Sequence, residues 1–308
     1  MLKLKSVEDI NSFSLEQRFH LGIFACGYEK RSTHLATKND IVNRIDNILV
    51  LGFTDFKNEP QRLLNNDFYV KKGLLIETII DEGSIYKLLN EYTNQLNIKE
   101  LKVVIDYSSM PRSWYNALIS WTKFQNKFQS IEIFFCYSVG KWGPGITPFR
   151  VNKVTTLHGL EGSDHFNDYS VALFGIGYDG DVLLSVYDQL EPDLTYVFLS
   201  NHDKDLNINK VNQELINYSS GKIETPINNV ENTFRLLGEL VSSHINNSHI
   251  TIIPMGPKSL TLASMLICHR FNQITCLHIQ GEREKIHTDV TPMGTIAISK
   301  VLFETIDD

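Results

Sequence analysis

The amino-acid sequence predicts an α/β protein of two tandem domains with mainly parallel sheets, related by internal duplication. Three observations predict it. Short apolar runs alternate with stretches of helical periodicity, the rhythm of βαβ units. Four short motifs recur in the same order, 144 to 150 residues apart. The length, 308 residues, accommodates one large or two ordinary domains.

In the first half, "FHLGIFAC" (Phe19–Cys26) is a compact apolar run and so a strand. A polar-amphipathic stretch runs to Ile45, and "NILVLGF" and "GLLIETII" supply the next two strands. "SIYKLLNEYTNQLN" carries apolar residues at helical spacing, with Ser84 as its expected N-cap. "LKVVID" is the fourth strand, "PRSWYNALISWTKFQ" a helix and "IEIFFCYSV" the fifth strand. The second half repeats the pattern with strands "SVALFGI", "LTYVFLS", "HITIIPM" and "ITCLHIQ". Its main helices are "VENTFRLLGELVSSHI" and "KSLTLASMLICHRF". Strands alternating with helices imply parallel sheets covered on both faces, hence two Rossmann-like domains. The expected boundaries are 1–158 and 170–308, joined by a polar, Gly-containing linker at 159–169.

The duplication rests on paired motifs. "FACGYEK" from Phe24 answers "FGIGYDG" from Phe174, and "ILVLGF" from Ile48 answers "YVFLSN" from Tyr196. "MPRSWYNAL" from Met110 answers "GPKSLTLAS" from Gly256, and Thr147-Pro148 answers Thr291-Pro292.

Composition narrows the function. Hydrophobic residues make up 42% and charged residues 21%, enough apolar material for a packed core. The net charge is −7, from 29 Lys+Arg against 36 Asp+Glu, which argues against broad nucleic-acid or anionic-membrane binding. The four cysteines form no C-x-x-C pair and lie in apolar runs or a helix, so buried reduced thiols and a cytoplasmic setting are expected. The N-terminus has no signal-peptide core, and no apolar stretch is long enough to span a membrane.

In open α/β sheets, ligands bind beyond the carboxyl ends of the strands. Two junctions per copy therefore matter. After the fourth strand, Asp106 is followed by Ser108, Ser109, Pro111, Arg112 and Ser113. Pro suits the first turn of a helix, and serines can cap its free N–H groups. The same N–H groups and the helix dipole can hold a phosphate, for which Arg112 offers matching geometry. A cation in the first turn opposes the dipole by roughly 0.3–1 kcal/mol. The second copy nevertheless repeats it as Lys258, between Gly256 and Ser259. An anionic ligand would account for both; ordinary capping with solvated cations is the plainer alternative. After the first strand, Gly27 permits close approach, Tyr28 could stack on a base, Glu29 could accept from a base or sugar, and Arg31-Ser32 could hold an anion. Gly177, Tyr178 and Asp179 occupy the matching places. The copies are unequal: Ile252 stands opposite Asp106, and Pro254 and Met255 stand opposite the two serines. Chemistry is therefore expected in the first copy.

"VVIDYSSMPRSWYNAL" resembles the fourth-strand motif of CARF domains, Rossmann-like sensors of cyclic oligonucleotides in prokaryotic antiviral systems. Asp106 matches the motif's acid, Ser108-Ser109 stand where Thr-Gly is usual, and Arg112 replaces the Lys. A tandem pair of such units is similar to the SAVED domain of antiphage defence, whose Gly-Pro turn "IPMGPKSLTLAS" resembles. The resemblance implies a nucleotide or other phosphorylated ligand between the strand ends of the two halves. It also implies an effector protein as partner, because the sequence shows no effector module or HEPN-type Arg–His spacing. A homo-oligomer is left open.

An enzyme is the alternative, with Asp106 as general acid/base and Glu29 as its counterpart on a phosphorylated or nucleoside substrate. Glu100-Leu101-Lys102 with Asp81 has the E-x-K form of some nucleases, but that form arises often by chance. His165 with Asp164 and Asp168, and His202 with Asp203 and Asp205, lack recognised metal-ligand spacing and read as solvated loops. No cofactor or metal is expected. The P-loop, nucleophile-elbow and zincin motifs are absent from the sequence.

Overall fold

The computed structural model describes residues 1–38, 40–141, 149–163, 169–200, 208–283 and 290–305. The chain divides into two compact units, Met1–Pro144 with His287–Asp308, and Gly145–Ile286.

The first unit contains strands β1 (Leu2–Ile10), β2 (Phe19–Cys26), β3 (Ile45–Phe53), β4 (Ile76–Ile79), β5 (Glu100–Asp106) and β6 (Ser130–Lys141). Between them lie helices α1 (His34–Thr37), α2 (Pro60–Lys71), α3 (Glu82–Asn94) and α4 (Arg112–Lys123). The second unit contains β7 (Phe149–Glu161), β8 (Tyr169–Gly175), α5 (Gly180–Leu190), β9 (Leu194–Ser200), α6 (Ile208–Val211), α7 (Gln213–Tyr218) and β10 (Gly221–Thr225). It continues with α8 (Val230–His244), β11 (Ser248–Pro254), α9 (Lys258–Arg270) and β12 (Thr275–Arg283), and β13 (Thr291–Thr305) follows in the chain.

The two sheets share one plan. The first runs β4-β3-β2-β5-β6-β13-β1 and the second β10-β9-β8-β11-β12-β7. In each, the first five strands are parallel and the sixth is antiparallel. The expected fold class is thus the observed one, and the matching order carries the duplication. The central parallel strands carry buried apolar runs, as covered sheets require, whereas the edge strands β4 and β10 include Glu77, Lys222 and Glu224. Phe19, Phe24, Val50, Tyr69, Val104 and Phe134 build the first core. Phe174, Leu183, Val197, Leu215, Ile253 and Ile279 build the second.

The antiparallel strands depart from the expected boundaries. β13 belongs by sequence to the second copy, yet it pairs with β6 of the first sheet, Ile298 opposite Cys136. β7 follows β6 in the chain, yet it pairs with β12 of the second sheet, Ile279 opposite Val154. Each sheet thus takes its antiparallel strand from the other copy's sequence. Residues 291–305, expected in the second domain, lie in the first sheet, and 149–158, expected in the first, lie in the second. Of the expected linker 159–169, residues 159–161 are the end of β7 and Tyr169 begins β8. The Thr291-Pro292 motif opens β13 and its counterpart Thr147-Pro148 lies outside the described residues, as do the His165 and His202 groups.

Smaller differences have local causes. α3 is capped by Asp81, whose carboxylate accepts the Ser84 N–H at 2.8 Å. Ser84, the expected cap, therefore sits inside the first turn. β5 begins one residue before the expected strand, so that Glu100 and Lys102 both lie at its amino end. All four cysteines are buried thiols outside any disulfide. Among the described residues, no helix is long and apolar enough to cross a membrane.

Candidate functional site

The carboxyl ends of β2, β3 and β5 bring two loops of the first unit together. Gly27 leaves β2. A Cβ at Gly27 would lie 3.0 Å from the Ser109 Cβ and 3.4 Å from the Phe53 ring, so the missing side chain lets the loop after β2 meet the loop after β5. The loop after β2 is held from several sides. The Ser32 hydroxyl donates to the Ala25 carbonyl at 2.6 Å and accepts the Gly27 N–H at 2.9 Å. Asn65, from α2, donates to the Gly27 and Glu29 carbonyls at 2.8 and 3.0 Å. The Tyr69 hydroxyl donates to the Ser32 carbonyl at 3.0 Å. Ser32 is therefore engaged by the loop itself, rather than offered to an anion.

Arg31 is likewise turned inward, with 2% of its surface exposed. Its Nε and Nη2 donate to the Glu29 carboxylate at 2.7 and 3.3 Å. Its Nη1 donates to the Tyr137 hydroxyl at 3.2 Å and the Ser138 carbonyl at 3.5 Å. Burial opposes the Arg31 charge, but the Glu29 carboxylate and Tyr137 outweigh it and hold its pKa above the ordinary arginine value. Gly140 makes room for the guanidinium: a Cβ there would stand 2.7 Å from Nη1. Glu29 keeps some exposure, and Ser109 Oγ donates to its Oε2 at 3.4 Å.

Asp106, the last residue of β5, is 2% exposed. Its Oδ1 accepts the backbone N–H and the hydroxyl of Ser108. The Ser108 oxygen in turn accepts the Ser138 N–H at 2.8 Å, which ties the turn to β6. Asp106 and Ser108 thus shape the junction. Pro111 is the N-cap of α4 and Arg112 its first residue. The N-cap residue Pro111 makes no side-chain cap and the first turn holds no acid, and the Ser108 hydroxyl is engaged by Asp106 and the Ser138 N–H. Arg112 and Ser113 are half-buried.

An aromatic group escaped the sequence reading. The Tyr28 ring lies 5.9 Å from Phe53 and 5.1 Å from Phe56. Phe53 stacks on Trp114 at 4.6 Å, with 27° between the planes. The only sequence signal was that Phe53 ends an apolar strand and Trp114 opens a helix. Burial, with a smaller contribution from Glu29, pushes the Tyr28 phenol up to about 12.

The second unit reproduces the frame with other chemistry. A Cβ at Gly177 would lie 2.2 Å from the Met255 carbonyl oxygen, the same loop-to-loop approach as Gly27 and Ser109. Asn212 donates to the Gly177 carbonyl at 2.8 Å, as Asn65 does to Gly27. Asp179, the counterpart of Glu29, receives two hydrogen bonds from Arg283 at 3.0 and 2.7 Å. Here the guanidinium comes from β12 rather than from the loop. Tyr178 is half-buried, and Lys258 is the first residue of α9 after the N-cap Pro257. Ser259 donates to the Ile227 carbonyl, and Gly256 packs against Leu260. Among the described residues, no three His, Cys, Asp or Glu side chains gather as metal ligands.

No protein-family model matches the chain, and no curated protein matches it. Among solved structures, the chain is similar to a Type III CRISPR defence DNA nuclease activated by cyclic oligoadenylate. The TM-score is 0.54 at 8% identity, covering 84% of this chain and 65% of that one. The chain thus spans about two thirds of that nuclease's length, and the likeness establishes a shared fold.

Proposed function

We propose that the protein is a nucleotide-binding sensor or regulator, with its ligand at the strand ends of the first unit and a cyclic oligonucleotide as the leading candidate. One observation carries the reading. The loop after β2, clamped by Ser32, Asn65 and Tyr69, meets the turn into α4, a helix that begins with Arg112 after the N-cap Pro111 and has no acid in its first turn. A preorganised loop beside a helix N-terminus with a cation is an arrangement suited to a phosphate. Arg112, Ser109 and Ser113 would face the ligand's phosphate, and Gly27, Tyr28 and Glu29 its base or sugar. Gly177, Tyr178, Asp179, Gly256, Lys258 and Ser259 form the related frame in the second unit. Arg31, Ser32, Asp106 and Ser108 act as positioning groups, because their polar atoms are turned into the loops they hold. This favours binding over turnover. The fold shared with a nuclease activated by cyclic oligoadenylate is in keeping with a role in antiviral defence, and a cytoplasmic setting with output through an effector partner belongs to the same proposal.

Calorimetric titration with nucleotides and cyclic oligoadenylates tests the reading. Binding is expected, and Arg112→Ala should weaken it about tenfold or more, the loss of one charge-assisted hydrogen bond. Absence of binding by every nucleotide, or unchanged binding by Arg112→Ala, refutes it.

A further inference from the structure

Phe56 lies in the loop after β3, is 44% exposed, and has a φ of 55°. A left-handed backbone is costly for a bulky aromatic residue and concentrates at functional sites. The Phe56 ring stands edge-on to Tyr28, itself against Phe53, which stacks on Trp114. The rings thus form a chain from the buried Trp114 to the exposed Phe56, at the carboxyl ends of β2 and β3. Beside Tyr28 in the chain, Glu29 presents an acceptor held by Arg31 and Ser109. The second copy keeps Tyr178, but Asn201 and Leu260 stand in sequence where the first copy has Phe53 and Trp114. Simple packing of the duplicated frame therefore does not require these rings.

We infer that Phe56, Tyr28 and Phe53 form a stacking platform for one nucleobase of the ligand, present in the first unit alone. The inference rests on the nucleotide-binding reading and assigns the base-recognition element of that site. Phe56 supplies an exposed π-face, Tyr28 and Phe53 fix its position, and Trp114 anchors them. The edge-on contact with Tyr28 positions the Phe56 ring before binding.

AMP and ribose 5-phosphate are the probes, titrated by calorimetry against wild type, Phe56→Ala and Phe56→Gly. Wild type is expected to bind AMP at least tenfold more tightly than ribose 5-phosphate, and both variants should weaken AMP binding by about five- to a hundredfold. Thermal unfolding checks folding. Glycine suits a φ of 55°, so Phe56→Gly should unfold no earlier than Phe56→Ala. Equal affinity for the two probes, AMP binding unaffected by both variants, or no AMP binding overturns the platform. In each case the nucleotide-binding reading stands if a cyclic oligoadenylate binds and Arg112→Ala weakens it.

Discussion

Removing Glu29 should destabilise the first unit far more than removing an ordinary surface acid. The Arg31 guanidinium is 2% exposed and gives three of its four hydrogen-bonding contacts within 3.3 Å to Glu29 and Tyr137. Glu29→Ala leaves that charge buried with Tyr137 and the Ser138 carbonyl alone. Breaking one side of a buried pair costs about 3–5 kcal/mol, because the remaining charge has lost its compensation. The lower end is expected here, since water reaches the edge of Glu29. The surface pair Arg235–Glu239, with both side chains more than half exposed, gives the contrast: losing Glu239 should cost under about 1 kcal/mol. Replacing both partners, as Glu29→Leu with Arg31→Met, removes the buried charge and should recover most of the loss. Urea unfolding followed by tryptophan fluorescence is the assay, because Trp114 and Trp121 both lie in the first unit. A Glu29→Ala cost below about 1 kcal/mol, or a double variant no more stable than the single one, would refute this account of the pair.

The two loop-contact glycines should respond unequally to alanine. A Cβ at Gly177 would stand 2.2 Å from a backbone carbonyl oxygen, whereas one at Gly27 would stand 3.0 Å from the Ser109 side chain. Gly177→Ala should cost about 1–3 kcal/mol or more by overpacking and Gly27→Ala distinctly less, and equal urea midpoints for the two would contradict the geometry. Burial pushes the Cys26 thiol from its ordinary 9.0 up to about 11. Its contribution is fully present below pH 9.0, where both states are protonated, and is lost as pH rises toward about 11, because the unfolded chain ionises first. The loss is at most about 3 kcal/mol, and a Cys26→Ala variant should show a correspondingly flatter stability profile over that range. In the folded protein Cys26 should resist alkylation near pH 8; modification there at the rate of a free thiol, mapped by mass spectrometry, would count against the shift.

The sequence by itself determined the βαβ rhythm, the duplication and the places where ligand chemistry could sit. These were legible because each rests on local information: an apolar run, a helical period, or a glycine at a strand end. Gly27 and Gly177 fell in corresponding motifs, and the structure gives them the same loop contact. The sequence did not reveal which sheet would take β7 and β13. Neither segment is among the strands expected from the sequence, and their partners are chosen by pairing with strands more than a hundred residues away, Ile279 with Val154 and Ile298 with Cys136. The roles of the polar side chains also waited on the fold. Arg31 and Ser32 looked like anion ligands, but burial made hydrogen bonding to their neighbours obligatory. Glu29 supplies the partner for Arg31, while Ala25 and Gly27 supply those for Ser32. Phe53, Phe56 and Trp114 were ordinary apolar letters in the chain. Tertiary structure alone brought Phe53 and Trp114, more than sixty residues apart, into a stack at the strand ends and placed Phe56 and Tyr28 at its outer edge.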